Sequence, residues 1–84
     1  MNIGLIGNGF VGKAIYENLK DDYNFLIFDK KPELSDCERI SDIVRYAKFI
    51  FVAVPTPMHI DGTPDLSIVF DVINDIKENY NNNI

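Results

Sequence analysis

Three glycines near the amino terminus are the residues of this chain whose spacing points most directly to chemistry. Gly7, Gly9 and Gly12 form the pattern Gly-x-Gly-x-x-Gly, directly after the apolar run at residues 2–6. In this pattern the first glycine permits a tight turn, the second leaves room for a pyrophosphate, and the third lets a helix pack on a strand. The free N–H groups at the helix start then bind phosphate oxygens. The glycines therefore predict a dinucleotide-binding site.

An acidic residue follows at the distance at which a dinucleotide-binding fold places its ribose ligand. Asp29 closes a second apolar run, residues 25–28, and lies 22 residues after Gly7. A carboxylate there accepts hydrogen bonds from the ribose hydroxyls of NAD and repels the 2′-phosphate of NADP. Lys30 and Lys31 could attract that phosphate, although a solvated turn is their plainer interpretation. We therefore predict NAD as the cofactor.

The same residues also fit most of a second phosphate-binding motif. Gly7 to Lys13 has the pattern Gly-x-x-x-x-Gly-Lys of a P-loop, but Ala14 stands where that loop needs a hydroxyl for magnesium. A P-loop also needs an Asp at the end of a neighbouring strand, whereas the apolar run at residues 49–54 ends at Pro55. The sequence favours a dinucleotide over a nucleoside triphosphate. A third interpretation is that the glycines only form a tight turn.

The elements that must position these residues alternate between strands and helices. Strands are predicted at residues 2–6, 25–28 and 49–54, with a very short one at Arg39 and Ile40. Helices are predicted from Val11 to near Asp21, from Ser41 to about Ala47, and after Thr63. This alternation predicts a Rossmann-like α/β fold, with a parallel sheet of strand order 3-2-1-4 and helices on both faces. Strand 3 of that order is the one at Arg39 and Ile40, and residues 49–54 become a central strand.

The last helix has a clear start signal in the sequence. Thr63 is expected as its N-cap, with Pro64 at the first helical position and Asp65 as an acid in the first turn. Leu66, Val69, Phe70 and Ile73 are expected to form its buried face, with Ile76 as a further candidate. The helix is expected to fade into residues 80–83, and residues 81–84 are expected to form a tail.

The composition argues against several classes of function. With 84 residues, 46% of them hydrophobic and 25% charged, the chain is typical of one small globular domain. Its net charge of −5 and lack of a basic cluster argue against nucleic acid. No apolar run is long enough for a membrane helix and no secretory signal is evident, so a cytoplasmic location is expected. Cys37 and His59 are single residues of their types and predict neither a disulfide nor a metal site.

Two further motifs make the pattern more specific. Residues 54–57 read Val-Pro-Thr-Pro, and residues 61–67 read Asp-Gly-Thr-Pro-Asp-Leu-Ser. Together with the glycine motif, they make nearly the whole chain resemble the N-terminal NAD-binding domain of the UDP-glucose/GDP-mannose dehydrogenase family. The resemblance implies NAD-dependent oxidation of a sugar hydroxymethyl group to a carboxylate, with a nucleotide sugar as substrate.

The resemblance also implies roles for individual residues. The adenosine ribose of the cofactor would contact Asp29, and its nicotinamide half would contact Thr56, in a loop shaped by Pro55. The cofactor pyrophosphate would contact Gly7, Gly9, Phe10, Val11 and Gly12. The family's catalytic groups lie in later segments, and Cys37 matches none of its cysteine motif, so no catalytic residue is assigned. This chain is expected to bind NAD without catalysing the oxidation alone.

The resemblance also predicts that the sheet is cut before its next strand. The nucleotide sugar would then be reached only through missing segments, and residues 49–54 would form an exposed edge that self-associates. The alternative function is a stand-alone, non-catalytic dinucleotide-binding module. A remnant without any ligand is a third hypothesis.

Overall fold

A computed structural model of the chain describes residues 1–82 and has three parallel strands at its centre. The elements are β1 Asn2–Ile6, α1 Phe10–Leu19, β2 Asn24–Phe28, a 3-10 turn at Pro32–Leu34, α2 Ile40–Tyr46, β3 Phe49–Val52 and α3 Ser67–Asn82. The strand order is β2-β1-β3, and both neighbours run parallel to β1. The predicted α/β class and parallel sheet are therefore confirmed.

The central strand β1 is buried from Ile3 to Ile6, because helices cover both of its faces. On one face Leu5 packs beneath α1, and Tyr16 of α1 meets Phe25 of β2 edge-on, with ring centroids 5.5 Å apart. On the other face Gly4 lets α2 approach so closely that a Cβ would collide with Ile43. The sheet is thus a middle layer between α1 and the pair α2 and α3.

The core beneath the second face joins β1, α2 and α3. Its buried members are Ile6, Ile43 and Val72. Partly buried apolar residues pack around them: Leu26, Phe28, Cys37, Ile40, Ala47, Ile50, Val54 and Ile76. The predicted buried face of the last helix is therefore only partly right: Ile76 packs on the core as expected, but together with Val72, which was not predicted. Leu66, Phe70 and Ile73 are left 41%, 58% and 47% exposed.

The predicted start of the last helix is also wrong. Thr63 accepts a backbone hydrogen bond from His59, and Pro64 pairs with Met58 in an antiparallel bridge, so both belong to a hairpin. The helix begins only at Ser67, whose amide donates to the carboxylate of Asp65 at 3.0 Å. The side chain that marks the helix start is thus Asp65, because Thr63 is held in the hairpin.

The predicted strand order 3-2-1-4 is wrong, because no strand forms at Arg39 and Ile40. Arg39 precedes α2, and Ile40 is its first residue. The outer edge of β2 is instead closed by Asp36, whose amide donates to the Ile27 carbonyl at 2.8 Å and whose carboxylate accepts the Ile27 amide at 3.2 Å. Ser35 accepts the amide of Asp29 at 3.0 Å. Side chains and a short loop thus occupy the edge that the predicted strand would have used.

The carboxyl-terminal half shows two smaller differences. β3 ends at Val52, two residues earlier than predicted, and lies at an edge of the sheet among residues 1–82, which agrees with the expected exposed edge and not with a central strand. Pro55 lacks the N–H that a longer strand would need. α3 ends at Asn82, within the segment where it is expected to fade, and so includes the first two residues of the expected tail. The rest of the predicted tail, residues 83–84, lies outside the described part of the chain.

Candidate functional site

A cavity of about 810 Å³ lies at the edge of the sheet where the three strands end. Seven of the eight residues predicted for the cofactor line it: Gly7, Gly9, Phe10, Val11, Asp29, Pro55 and Thr56. Gly12 does not line the cavity and is buried one turn into α1. The carboxyl edge of a parallel sheet is where open α/β folds bind their ligands, and the volume is typical of small-molecule sites.

Two of the three glycines are required by the packing of the protein itself. Gly7 has φ of +99°, and a Cβ on it would lie 2.5 Å from the carbonyl oxygen of Ala53. A Cβ on Gly12 would collide with the carbonyl oxygen of Gly7. These contacts press the start of α1 against the end of β1. A side chain at either glycine would force the loop and the helix apart.

Gly9 differs from the other two glycines. Its φ of −85° and ψ of −151° are extended values that any residue adopts, and a Cβ would meet nothing within 4 Å. It stands at the N-cap of α1, where its carbonyl accepts the amide of Lys13 at 2.9 Å. The first turn of α1 contains no acidic side chain that would compete for its free N–H groups. Gly9 also lines the cavity, so a ligand there could approach the free N–H groups of the helix start.

Asp29 is hydrogen-bonded to the glycine loop. One carboxylate oxygen accepts the amide of Asn8 at 2.7 Å, and the other accepts the amide of Lys31 at 2.9 Å. Each oxygen has a second lone pair, so the carboxylate can accept further bonds from a hydroxyl. The structure thus brings Asp29 and the glycine loop together, as their spacing in the sequence predicts.

Asn8 is a site residue that the sequence analysis missed. Its side-chain amide donates to the carbonyl of Leu34 at 2.9 Å, while its backbone amide donates to Asp29. The residue thereby fastens the glycine loop to β2 and to the 3-10 turn. An amide side chain between the first two glycines of the motif was the available signal for this role.

The charged side chains of the cavity fall into two groups. Asp29, Lys30 and Lys31 stand at the end of β2, and Asp71 and Asp75 stand on α3. Between them the lining is mostly apolar, formed by Ile6, Phe28, Leu34, Ile40, Val54, Ile68 and Val72. The α3 residues were also missed, although Asp71 and Asp75 flank Val72 at helical spacing. The lining of the cavity is thus apolar in the middle, carries both charges at the end of β2, and is acidic at α3.

The loop after β3 reaches the cavity only through its first four residues, 53–56. Beyond them the chain forms a hairpin in which His59 donates to Thr63 at 2.8 Å and Gly62 has φ of +90°. The hydroxyl and amide of Thr63 both donate to Asp61, and these bonds lower the pKa of that carboxyl. The hairpin is therefore held by bonds within itself.

Cys37 stands outside the cavity. Its Sγ lies 3.5 Å from the carbonyl oxygen of Ile27, and burial raises the pKa of the thiol. The thiol is therefore neutral at pH 7, which is typical of a structural cysteine. In residues 1–82 no group of three or more His, Cys, Asp or Glu side chains is arranged to hold a metal ion. No helix in that range is both long and apolar enough to cross a membrane.

The geometry of the carboxyl edge thus combines a glycine turn, a helix start and a carboxylate around one cavity. Comparison of the chain with protein-family models, curated proteins and solved structures finds no match. The chemistry of the site is therefore inferred from its own residues.

Proposed function

We propose that this chain is a Rossmann-like domain that binds NAD in the cavity at the carboxyl edge of its sheet. The observation that carries the proposal is the difference among the three glycines. The packing of the protein requires Gly7 and Gly12, whereas a Cβ on Gly9, which lines the cavity, would meet no atom of the protein. A pyrophosphate that approaches the backbone there would account for a residue without a side chain.

The residues around the cavity fit the parts of the cofactor. Backbone amides at Gly9, Phe10 and Val11, where α1 begins, would hold the pyrophosphate. Asp29 would accept hydrogen bonds from the adenosine ribose, and Thr56 would contact the nicotinamide half. When bound, NAD supplies a carbon that accepts a hydride. The residues of this chain bind the cofactor and orient it.

The proposal extends to the class of enzyme. We assign the chain as the NAD-binding portion of a nucleotide-sugar dehydrogenase that oxidises a sugar hydroxymethyl group to a carboxylate. In support, residues 54–57 begin two residues after the end of β3, and the first three of them line the cavity. Contacts to the nucleotide sugar and the catalytic nucleophile are assigned to other segments, so the activity proposed for this chain alone is binding.

Titration with NAD, NADP and Mg-ATP, followed by amide chemical shifts, tests the proposal. We expect the amides of Gly9, Gly12 and Asp29 to shift and saturate with NAD and to respond more weakly to NADP. Mg-ATP should leave them unchanged. A folded sample that binds none of the three, or Mg-ATP alone, contradicts the proposal.

Two glycine variants separate binding from folding. Gly9→Ala should abolish NAD binding without changing stability, because the added methyl group meets only the space proposed for the pyrophosphate. Gly62→Ala is the matched control: it adds the same methyl group outside the cavity, at a φ of +90° that disfavours alanine. It should lower stability and leave NAD binding intact. Unchanged NAD affinity in Gly9→Ala contradicts the proposed role of the loop.

A further inference from the structure

The first turn of α1 carries two apolar side chains that the protein leaves in contact with solvent. Phe10 is 93% exposed and Val11 is 61% exposed, and both line the cavity. Phe10 is the most exposed aromatic side chain of residues 1–82. Apolar surface on a cavity wall gains free energy when a ligand covers it, in proportion to the area removed from water. The position of the ring therefore suits contact with a ligand rather than with the core.

The same turn supplies the free N–H groups that are proposed to hold the pyrophosphate. Phe10 is the first residue of the helix, and the next polar side chain along it is that of Lys13. Hydrogen bonds to an anion are stronger where water is excluded, because the local dielectric constant is lower. A phenyl ring beside these N–H groups would exclude water from them once phosphate oxygens are bound.

We propose, on the basis of the NAD site proposed above, that the phenyl ring of Phe10 packs against the bound dinucleotide and covers its pyrophosphate from water. The ring stands at the start of α1, on one face of the sheet. Ile68 and Val72 of α3 line the same cavity from the other face. A ligand at the carboxyl edge is thus enclosed by apolar side chains from both faces. Phe10 thereby contributes to binding through its side chain as well as through its backbone amide.

The cover makes the effect of the ring depend on which part of the ligand reaches it. NAD and ADP-ribose both contain the pyrophosphate, whereas AMP contains the adenosine ribose and a single phosphate. Loss of the ring should therefore weaken NAD and ADP-ribose binding equally, and AMP binding much less. A ring that packed on the nicotinamide would instead affect NAD alone.

Isothermal titration calorimetry of the full chain with these three ligands tests the proposal. Phe10→Ala should weaken NAD binding by about tenfold or more, since most of the apolar contact is removed. The heat-capacity change on binding should also become less negative, because less apolar surface is buried. Phe10→Tyr keeps the ring and should bind NAD as the parent does. Phe70→Ala is the matched control: that ring is 58% exposed on α3 and does not line the cavity, so NAD binding should be unchanged.

Urea unfolding separates a loss of binding from a loss of folding. Because the Phe10 ring is almost fully exposed, Phe10→Ala should keep the urea midpoint of the parent. Unchanged NAD affinity and heat-capacity change in Phe10→Ala would overturn the inference, and so would a loss confined to NAD. In both cases the NAD site itself stands if the parent binds NAD and Gly9→Ala does not.

Two further outcomes would also overturn the inference. A parent that binds none of the three ligands contradicts the NAD site together with the role of the ring. Sedimentation equilibrium detects the other outcome, a self-association of the parent that Phe10→Ala abolishes. That result would show that a second copy of the chain, and not NAD, covers the ring.

Discussion

The two loops that border the cavity are held in different ways. The glycine loop is bonded to the rest of the sheet, since Gly7 donates to Phe28 at 2.8 Å, Asn8 donates to Asp29, and Gly7 packs on Ala53. The loop from residue 55 to residue 66 is bonded mainly to itself through its hairpin. The first loop is therefore fixed by three neighbouring segments, and the second by local turns.

This difference indicates which half of the proposed cofactor is bound by preformed contacts. The pyrophosphate and adenosine ribose would meet the fixed loop, where little ordering is needed and more of the contact energy appears as affinity. The nicotinamide half would meet Pro55 and Thr56, whose loop has fewer contacts with the sheet. We therefore expect changes at the packed glycines, Gly7 and Gly12, to affect both stability and binding, and changes in the second loop to affect them separately.

The largest effect is expected from Gly12→Ala. The added Cβ collides with the carbonyl of Gly7 and must push α1 away from β1. We expect the free energy of unfolding to fall by about 3 kcal/mol, together with loss of NAD binding. Urea unfolding measures the change. A variant as stable as the parent would show that the glycine loop is less fixed than its contacts indicate.

Asp29→Asn should have an intermediate effect. The amides of Asn8 and Lys31 lose a charged acceptor, which we expect to cost about 1–2 kcal/mol of stability. The loss of negative charge should also narrow the preference for NAD over NADP, because the 2′-phosphate is no longer repelled. Thermal unfolding and paired titrations with the two dinucleotides measure these changes. An unaltered preference would remove Asp29 from the proposed ribose site.

Thr56→Ala should act on binding alone. Thr56 is exposed in the second loop, so we expect stability to change by less than about 0.5 kcal/mol. NAD affinity should fall by a few-fold, at most about tenfold, through loss of one hydrogen bond. ADP-ribose lacks the nicotinamide ring, and its affinity should be unchanged. An equal loss for both ligands would place Thr56 near the adenosine half instead.

The smallest effect is expected when the pH is lowered, and it concerns the stability of the hairpin. Hydrogen bonds from Thr63 lower the pKa of Asp61, so the ionised carboxylate stabilises the hairpin above the ordinary pKa of an aspartate. That contribution is lost as the pH falls through the lowered value. The protection factor of the Thr63 amide, which corrects the exchange rate for its intrinsic pH dependence, should therefore fall at acidic pH, and Asp61→Asn should show a lower protection factor already at neutral pH. Exchange in the variant that matches the parent at neutral pH would argue against this role.

The sequence was most informative where a local pattern coincides with a physical requirement. Gly7 and Gly12 were predicted because a turn and a helix contact exclude side chains, and both contacts are present. The apolar run of β1 was predicted because a strand covered on both faces needs apolar residues throughout. These features depend on residues close in the chain.

The features that were missed depend on side chains that act at a distance. Asp36 closes the edge of β2 through hydrogen bonds nine residues away, in a segment with no periodicity from which this could be predicted. Asn8 reaches Leu34 across 26 residues. Thr63 carries a good helix-start signal, but its hairpin partner His59 determines its role. Tertiary hydrogen bonds determine the structure in the first two cases, and the backbone pairing of a hairpin does so in the third.

The hairpin tip has a practical consequence for dividing the chain. Ile60 is fully exposed there, and the tip is joined to its own strands rather than to the sheet. A protease that cleaves at Ile60 would leave all three strands and the glycine loop in one fragment and α3 in the other. The two fragments would reassemble through Ile43 and Val72. The chain is thus suited to fragment complementation, in which a reporter fused to each fragment measures their reassociation.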